Sequence, residues 1–191
     1  MNNQTLLNQL VTSVQQYEGR IIQQPSLLQA GVLVAITDEI DPHLILTRRA
    51  DHLSTHSGEV AFAGGKRDDT DPDIIFTALR EAHEEINLAS CDVTVVGQLD
   101  QVISRFGYVV TPIVGVIPAD TQFTANLDEL DAVFKVPLRF FLETEPHDYF
   151  ERGSFSIPSF HYEGFRIWGL TSMMITEMVN NHLNADINIR F

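Results

Sequence analysis

The period of the hydrophobic pattern changes along the chain, and each change marks an element. Leu6, Leu7, Leu10, Val11 and Val14 recur at helical spacing, predicting an amphipathic helix over residues 3–18 that packs on the main body or on another subunit. Gln23-Gln24-Pro25-Ser26 reads as a linker. From residue 31 the runs become short and β-rich: GVLVAIT and HLILTRR predict two strands, parted by the turn-forming Asp38-Glu39-Ile40-Asp41-Pro42. A long segment rich in Gly, Ser and His reads as loop. A helix is then expected from Pro72 to Ile86, with Asp71 or Thr70 as its cap, Pro72 in its first turn and Asn87 left-handed at its end. Further strands are expected at 93–99, at 108–117 and around a hairpin-like stretch at 154–169, with a short helix near 137–143. Thr171 is expected to cap a last helix running to about His182, with Met174, Ile175, Met178 and Val179 on one face.

Strands and helices mix without strict βαβ alternation, which predicts an α+β fold, an α/β/α sandwich with a mixed β-sheet between helices. Residues 1–27 read as a helical extension and 28–191 as the main domain. At 191 residues the chain can bury roughly 70% of the surface its unfolded form exposes, so it needs no disulfide or structural metal. The one cysteine, Cys91, fits a reducing compartment and is expected to be a small buried hydrophobe.

Twelve Lys and Arg against 26 Asp and Glu leave a net charge of −14, the wrong sign for nucleic acid or anionic lipid. No run of 18 apolar residues is present, and MNNQTLLNQL lacks the basic start and apolar core of a signal peptide. The expectation is a cytoplasmic protein with a small-molecule substrate and no nucleic-acid or membrane partner. Oligomeric state stays open, and a homodimer is compatible with the sequence.

On the helix at 72–86, Ile75, Leu79, Ala82 and Ile86 form the stripe expected to meet the sheet. Glu81, Glu84 and Glu85 lie away from it, at spacings that bring their carboxylates to one patch. The cluster sits toward the helix C-terminus, where the macrodipole disfavours anions, so a cation should compensate it. Convergent carboxylate oxygens suit a hard ion such as Mg2+ or Mn2+. Just upstream, Gly64-Gly65 offers backbone that a ligand can approach closely. Arg48, Arg49, Lys66 and Arg67 are four of the twelve basic residues and fall within twenty positions. Basic side chains beside a carboxylate-held metal describe a site for phosphate oxygens.

These residues resemble the box of the Nudix hydrolases: Gly, five residues, Glu, seven residues, then Arg-Glu-apolar-any-Glu-Glu-any-Gly-apolar. Here Gly65 is followed after five residues by Asp71, and after eight more by REAHEEINL from Arg80 to Leu88. Asp71 replaces the first Glu, the spacer is one longer, and Asn87 stands for Gly. Asn is the commonest non-glycine residue to accept a positive φ. The longer spacer resembles one branch, the coenzyme A pyrophosphatases, whose upstream pattern LLTxRSxxLRxHxGEVxFPGG is similar to ILTRRADHLSTHSGEVAFAGG at 45–65. The match holds at Leu46, Thr47, Arg49, Leu53, His56, Gly58, Glu59, Val60, Phe62, Gly64 and Gly65, and departs at Ala50, Ser54 and Ala63. VFKVPLRFF and IWGLT are also similar to the branch.

The resemblance implies a Nudix fold and metal-dependent cleavage of the coenzyme A diphosphate to 3′,5′-ADP and 4′-phosphopantetheine. It implies Glu81 and Glu85 as ligands of Mg2+ or Mn2+, joined by the Gly65 carbonyl. Glu84 becomes a third ligand or the group that orients the attacking water. Arg48, Arg49 and Lys66 become substrate contacts, and Arg80 pairs with a carboxylate of the box. Glu59 is a general base or the partner of an arginine. His52 and His56 stay outside the metal shell, and Tyr162, Phe165 and Trp168 belong to core packing before base stacking. Two other readings remain: a Nudix hydrolase of another nucleoside diphosphate derivative, and a non-catalytic nucleotide-binding module. The GEVAF motif argues against the first, and the presence of all three box glutamates against the second.

Overall fold

In the computed structural model, which describes residues 5–53 and 57–190, a mixed sheet is covered by helices on both faces. The first helix, α1 (Leu6–Gln15), is capped by the Thr5 side chain and buries Leu7, Leu10 and Val14. Strands β1 (Leu28–Asp38) and β2 (His43–Arg49) follow as an antiparallel pair. The segment read as loop holds two short strands, β3 (Val60–Ala61) and β4 (Ala63–Lys66), before helix α2 (Ile74–Ile86). Then come β5 (Thr94–Gln98), β6 (Val102–Ile103), β7 (Tyr108–Pro118) and β8 (Leu130–Pro137). A short α3 (Phe140–Glu143), a three-stranded sheet of β9 (Asp148–Arg152), β10 (Phe155–Tyr162) and β11 (Phe165–Ile167), and α4 (Gly169–Leu183) complete the chain.

The main sheet runs β3-β2-β1-β7-β5, with β4 also on β1, β6 on β7 and β8 on β2. β1 and β7 are parallel, in register from Leu28↔Tyr108 to Asp38↔Pro118, and the other pairs are antiparallel. This central pair is buried on both faces, which is why both strands read as continuous apolar runs rather than alternating ones. On one face Leu33, Ala35, Ile113 and Ile117 meet Ala78, Ala82 and Ile86 of α2. On the other, Val34, Ile36 and Val114 share a core with Leu10 and Val14 of α1 and Ile175, Met178 and Val179 of α4. The amphipathic N-terminal helix thus packs on the main body. Ser13 and His182 Nδ1 share a 2.8 Å hydrogen bond, and the Tyr17 hydroxyl donates to Asp100 at 2.8 Å.

Several local expectations are corrected. Asp73, not Asp71 or Thr70, caps α2, because its side chain accepts from the Phe76 amide at 2.8 Å while Asp71 is committed elsewhere. Pro72 lies outside the helix. α4 starts before Thr171, whose hydroxyl instead donates to the Val60 carbonyl. Cys91 is exposed, because it sits in a 3-10 turn between α2 and β5. β8 was not anticipated: only Leu130 and Val136 of its eight residues are buried, so its sequence carries no clean alternation. Asn87 ends α2 at φ 56°, as expected of a left-handed cap. No helix among the described residues is long and apolar enough to cross a membrane.

Candidate active site

The site forms where β4 crosses under α2, and two glycines make that contact. A Cβ on Gly64 would lie 2.5 Å from the Gly31 carbonyl oxygen. One on Gly65 would lie 2.5 Å from Cδ of Glu81. At Gly64, paired with Val32 of β1, the obstacle is backbone and space requires glycine; at Gly65, paired with Gly31, a side chain would instead displace the Glu81 carboxylate.

Of the expected stripe, Leu79, Ala82 and Ile86 pack on the sheet, joined there by Ile74 and Ala78, whereas Ile75 is 39% exposed and Glu85 turns inward with only 7% of its surface accessible. The Gly64 amide donates to Glu85 Oε2 at 3.2 Å. One neutral donor does not repay the loss of water around a charge. Burial, reinforced by the charges of Glu81 and Glu129, pushes the Glu85 carboxyl up to about 8, against the Gly64 bond and the charge of Arg49. Burial also raises Glu81, against the charge and hydrogen bond of Arg80. Glu84 differs from both: its side chain is 55% exposed and pairs with Arg80 Nη1 at 2.9 Å. The three box glutamates therefore share a helix end but not one solvated patch.

Arg80 is the hub that holds the box together. Its Nε and Nη2 donate to the two oxygens of Asp71 at 3.1 and 3.0 Å, Nη2 reaches the Lys66 carbonyl at 3.1 Å, and Nη1 lies 3.0 Å from Glu81. Asp71 Oδ2 also accepts from Thr77 Oγ1 and the Asp68 amide. The Arg80 hydrogen bonds, with those of Asp68 and Thr77, hold the Asp71 carboxyl down at about 2. The Asp in place of the first box Glu thus has a structural occupation that fits the shorter side chain.

The basic residues divide. The positive charge of Arg49, at the end of β2, acts on Glu85 and favours its ionised form. Arg48 spans Asp51 and Asp131, both at 2.6 Å. Lys66 is exposed on β4 and contributes its carbonyl to Arg80. Arg67 bonds Gln29 and the carbonyls of Asp71 and Pro72, bracing the loop before α2. Glu59 pairs with Arg105 at 3.0 Å. His52 is exposed, while Ser54 and His56 lie outside the described residues. Tyr162 and Phe165 pack against the core, Tyr162 edge-on to Phe140 and Phe165 stacked on Phe134 at 3.9 Å, while Arg166 lies over the Trp168 ring.

Glu129 was not singled out by sequence. It precedes β8, and its charge raises both Glu81 and Glu85. Backbone bonds fix its loop to the site: the Asn126 amide donates to the Glu85 carbonyl, and the Ala50 amide to that of Glu129, each at 2.8 Å. No spacing relates Glu129 to the box, so only the fold reveals it.

Among the described residues, no three His, Cys, Asp or Glu side chains converge as a complete metal cage. The donors present are one buried carboxylate, one partly buried carboxylate and backbone oxygen. That set fits Mg2+ or Mn2+, which take part of their shell from water and substrate phosphates, rather than an ion held wholly by protein.

A mixed sheet between helices, with a glycine strand pressed on an acidic helix end, defines a class of protein that comparison with known ones confirms. The profile of the NUDIX domain matches residues 27–147. The chain belongs to the Nudix family. A protein of Escherichia coli named as an uncharacterized Nudix hydrolase, NudL, is 44% identical over 154 residues, 78% of this chain and 80% of that one. A protein of Shigella boydii with the same name matches to the same extent. Among solved structures, a MutT/nudix family protein from Enterococcus faecalis superposes with a TM-score of 0.54 at 15% identity, covering 95% of this chain and 71% of that one. The Nudix hydrolase RenU of M. smegmatis gives 0.51 at 18% identity, covering 66% and 76%.

Proposed function

We propose that this protein is a metal-dependent diphosphatase that cleaves coenzyme A or a derivative into 3′,5′-ADP and 4′-phosphopantetheine or its acyl form. Membership of the family, with relatives named as Nudix hydrolases, supports hydrolysis of a nucleoside diphosphate derivative. The observation that carries the site is Glu85, buried against Gly64 with one internal amide donor for its charge, beside a partly buried Glu81 that lies over Gly65. The step to coenzyme A rests on the ILTRRADHLSTHSGEVAFAGG segment, which supplies both Arg49 and the glycine strand.

Glu81 and Glu85, with the Gly65 carbonyl, would hold Mg2+ or Mn2+, which would supply neutralisation of phosphate oxygens and a water of lowered pKa. Arg49 and Lys66 draw the anionic diphosphate toward the helix end, and Arg48 shares this task from its carboxylate pairs. Glu84, at the rim and tethered to Arg80, orients the attacking water. Arg80 fixes the distance between the loop and α2, so the carboxylates are placed before substrate arrives.

A substrate panel with Mg2+ and with Mn2+, products identified by mass, tests the reading. Coenzyme A is expected to be cleaved with kcat/KM about tenfold or more above dephospho-coenzyme A, the scale of one charge-assisted contact to the 3′-phosphate. Equal or faster cleavage of dephospho-coenzyme A, ADP-ribose or a nucleotide sugar removes the coenzyme A assignment.

A further inference from the structure

The turn between β6 and β7 presents an aromatic ring at the surface. Phe106 is 54% exposed, and the turn that presents it is well fixed. The Ser104 amide donates to the Tyr108 carbonyl at 2.9 Å, the Gly107 amide to the Ser104 carbonyl at 3.0 Å, and the Tyr108 amide to Ser104 Oγ at 3.1 Å. Gly107 supplies the positive φ of 78° that closes it.

The tip is also tied toward the active site. Arg105 lies with its guanidinium carbon 4.8 Å from the Phe106 ring centroid while pairing with Glu59. The Glu59 carbonyl accepts from the Arg49 amide at 3.0 Å. A series of contacts therefore runs from the end of β2 at Arg49 to the ring. The sheet agrees: β1 lies between β4, which bears Gly65, and β7, which begins at Tyr108. The apolar side chains of Leu28 and Ile103, each about half exposed, flank the turn.

From this arrangement we infer that the Arg105-Phe106 tip is the base-stacking wall of the site, with the Phe106 ring taking the purine of a nucleoside diphosphate and Arg105 the charge beside it. The inference rests on the reading of the site as one for such a substrate, but not on coenzyme A in particular. An aromatic face accepts any base, and an arginine next to it favours the phosphates the base carries. A rigid turn pays little entropy on binding.

Phe106→Ala and the ring-retaining Phe106→Trp separate this role from a structural one. They are assayed on the nucleoside diphosphate derivative that the wild type cleaves fastest and on the same diphosphate bearing a methyl group instead of the nucleoside. ADP binding is measured by calorimetry, which needs no turnover. For Phe106→Ala the expected result is KM and the ADP Kd raised about tenfold, the loss of one base–aromatic stack, with kcat, Tm and the methyl compound unaffected. Phe106→Trp should restore binding. An unchanged Kd for ADP, or an equal loss on the methyl compound, overturns the inference. So does an altered oligomeric state with KM unmoved, which assigns the tip to contact between copies. If the wild type spares coenzyme A but cleaves another nucleoside diphosphate, the coenzyme A reading falls while the stacking test stands.

Discussion

Asp71 and Glu85 are both shielded from solvent and both bear on α2, yet their protons are held at opposite ends of the scale. The Asp71 side chain, 1% exposed, receives two bonds from Arg80 and others from Thr77 and the Asp68 amide, and ionises at about 2. Glu85 receives one amide, faces the like charges of Glu81 and Glu129, and ionises at about 8. Burial is common to both, so it is not burial that decides. What decides is whether the fold provides donors for the charge. Around Arg80 the protein completes an ion network. Further along α2 it leaves the Glu85 carboxylate short of partners beside Glu81, and that shortage is what a divalent ion can fill.

If this contrast is correct, variants on its two sides differ in kind. Glu85→Gln keeps the shape and removes the charge that burial opposes, so it should fold at least as well as the wild type. Its turnover should fall by at least ~10², the scale of losing one strong electrostatic contact. Undiminished kcat in this variant, or full activity in excess chelator, breaks the comparison at its functional end.

On the other side, Asp71→Asn should act first on stability. The guanidinium of Arg80 loses its main charge partner, and Tm should drop by several degrees, with kcat falling less than in Glu85→Gln. The pH dependence carries the sign. Because Asp71 ionises at about 2 in the fold against a usual 3.8, its contribution is complete above about pH 4 and is lost as pH falls through about 2. Urea unfolding of wild type and Asp71→Asn should therefore converge as pH is lowered across that window. A gap that stays constant or widens shows that the Asn variant fails for another reason.

The smallest effect is expected at Arg49, which sits between the two regimes. Arg49→Ala should raise KM about tenfold, as for loss of one charged hydrogen bond, with little change in Tm. An unmoved KM with a lower Tm would instead make Arg49 part of the framework, like Arg67.

α2 and its Asn87 end were legible because helical period and cap chemistry are local. So was the pairing of Arg80 with a carboxylate of the box. The exposure of Ile75 and the burial of Glu85 were not. Ile74 and Ile75 are equally apolar, and only the docking of α2, with the Ile74 carbonyl and Ala78 amide too close to Gly31 for a Cβ there, separates them. No periodicity count places a glutamate against a strand. Glu129 and β8 were missed for a related reason, since both acquire meaning only when β8 pairs with β2. Cys91 and Thr171 went against residue-type habit, one left at the surface by a tight turn and the other drawn to the Val60 carbonyl.

The parallel ladder between β1 and β7 joins residues 80 positions apart, beginning with Leu28 and Tyr108. β2, β3, β4 and α2, and with them the glycine strand, Arg49, Arg80 and the box glutamates, lie in the loop that this ladder closes. Long-range pairing of this kind is slow, because the entropy of closing the loop is spent before the contacts repay it. During synthesis, β1 can pair with β2 and β4 and receive α2, but its other edge stays open until β7 has left the ribosome. Catalytic competence should therefore emerge late, as one step with the docking of the central strands.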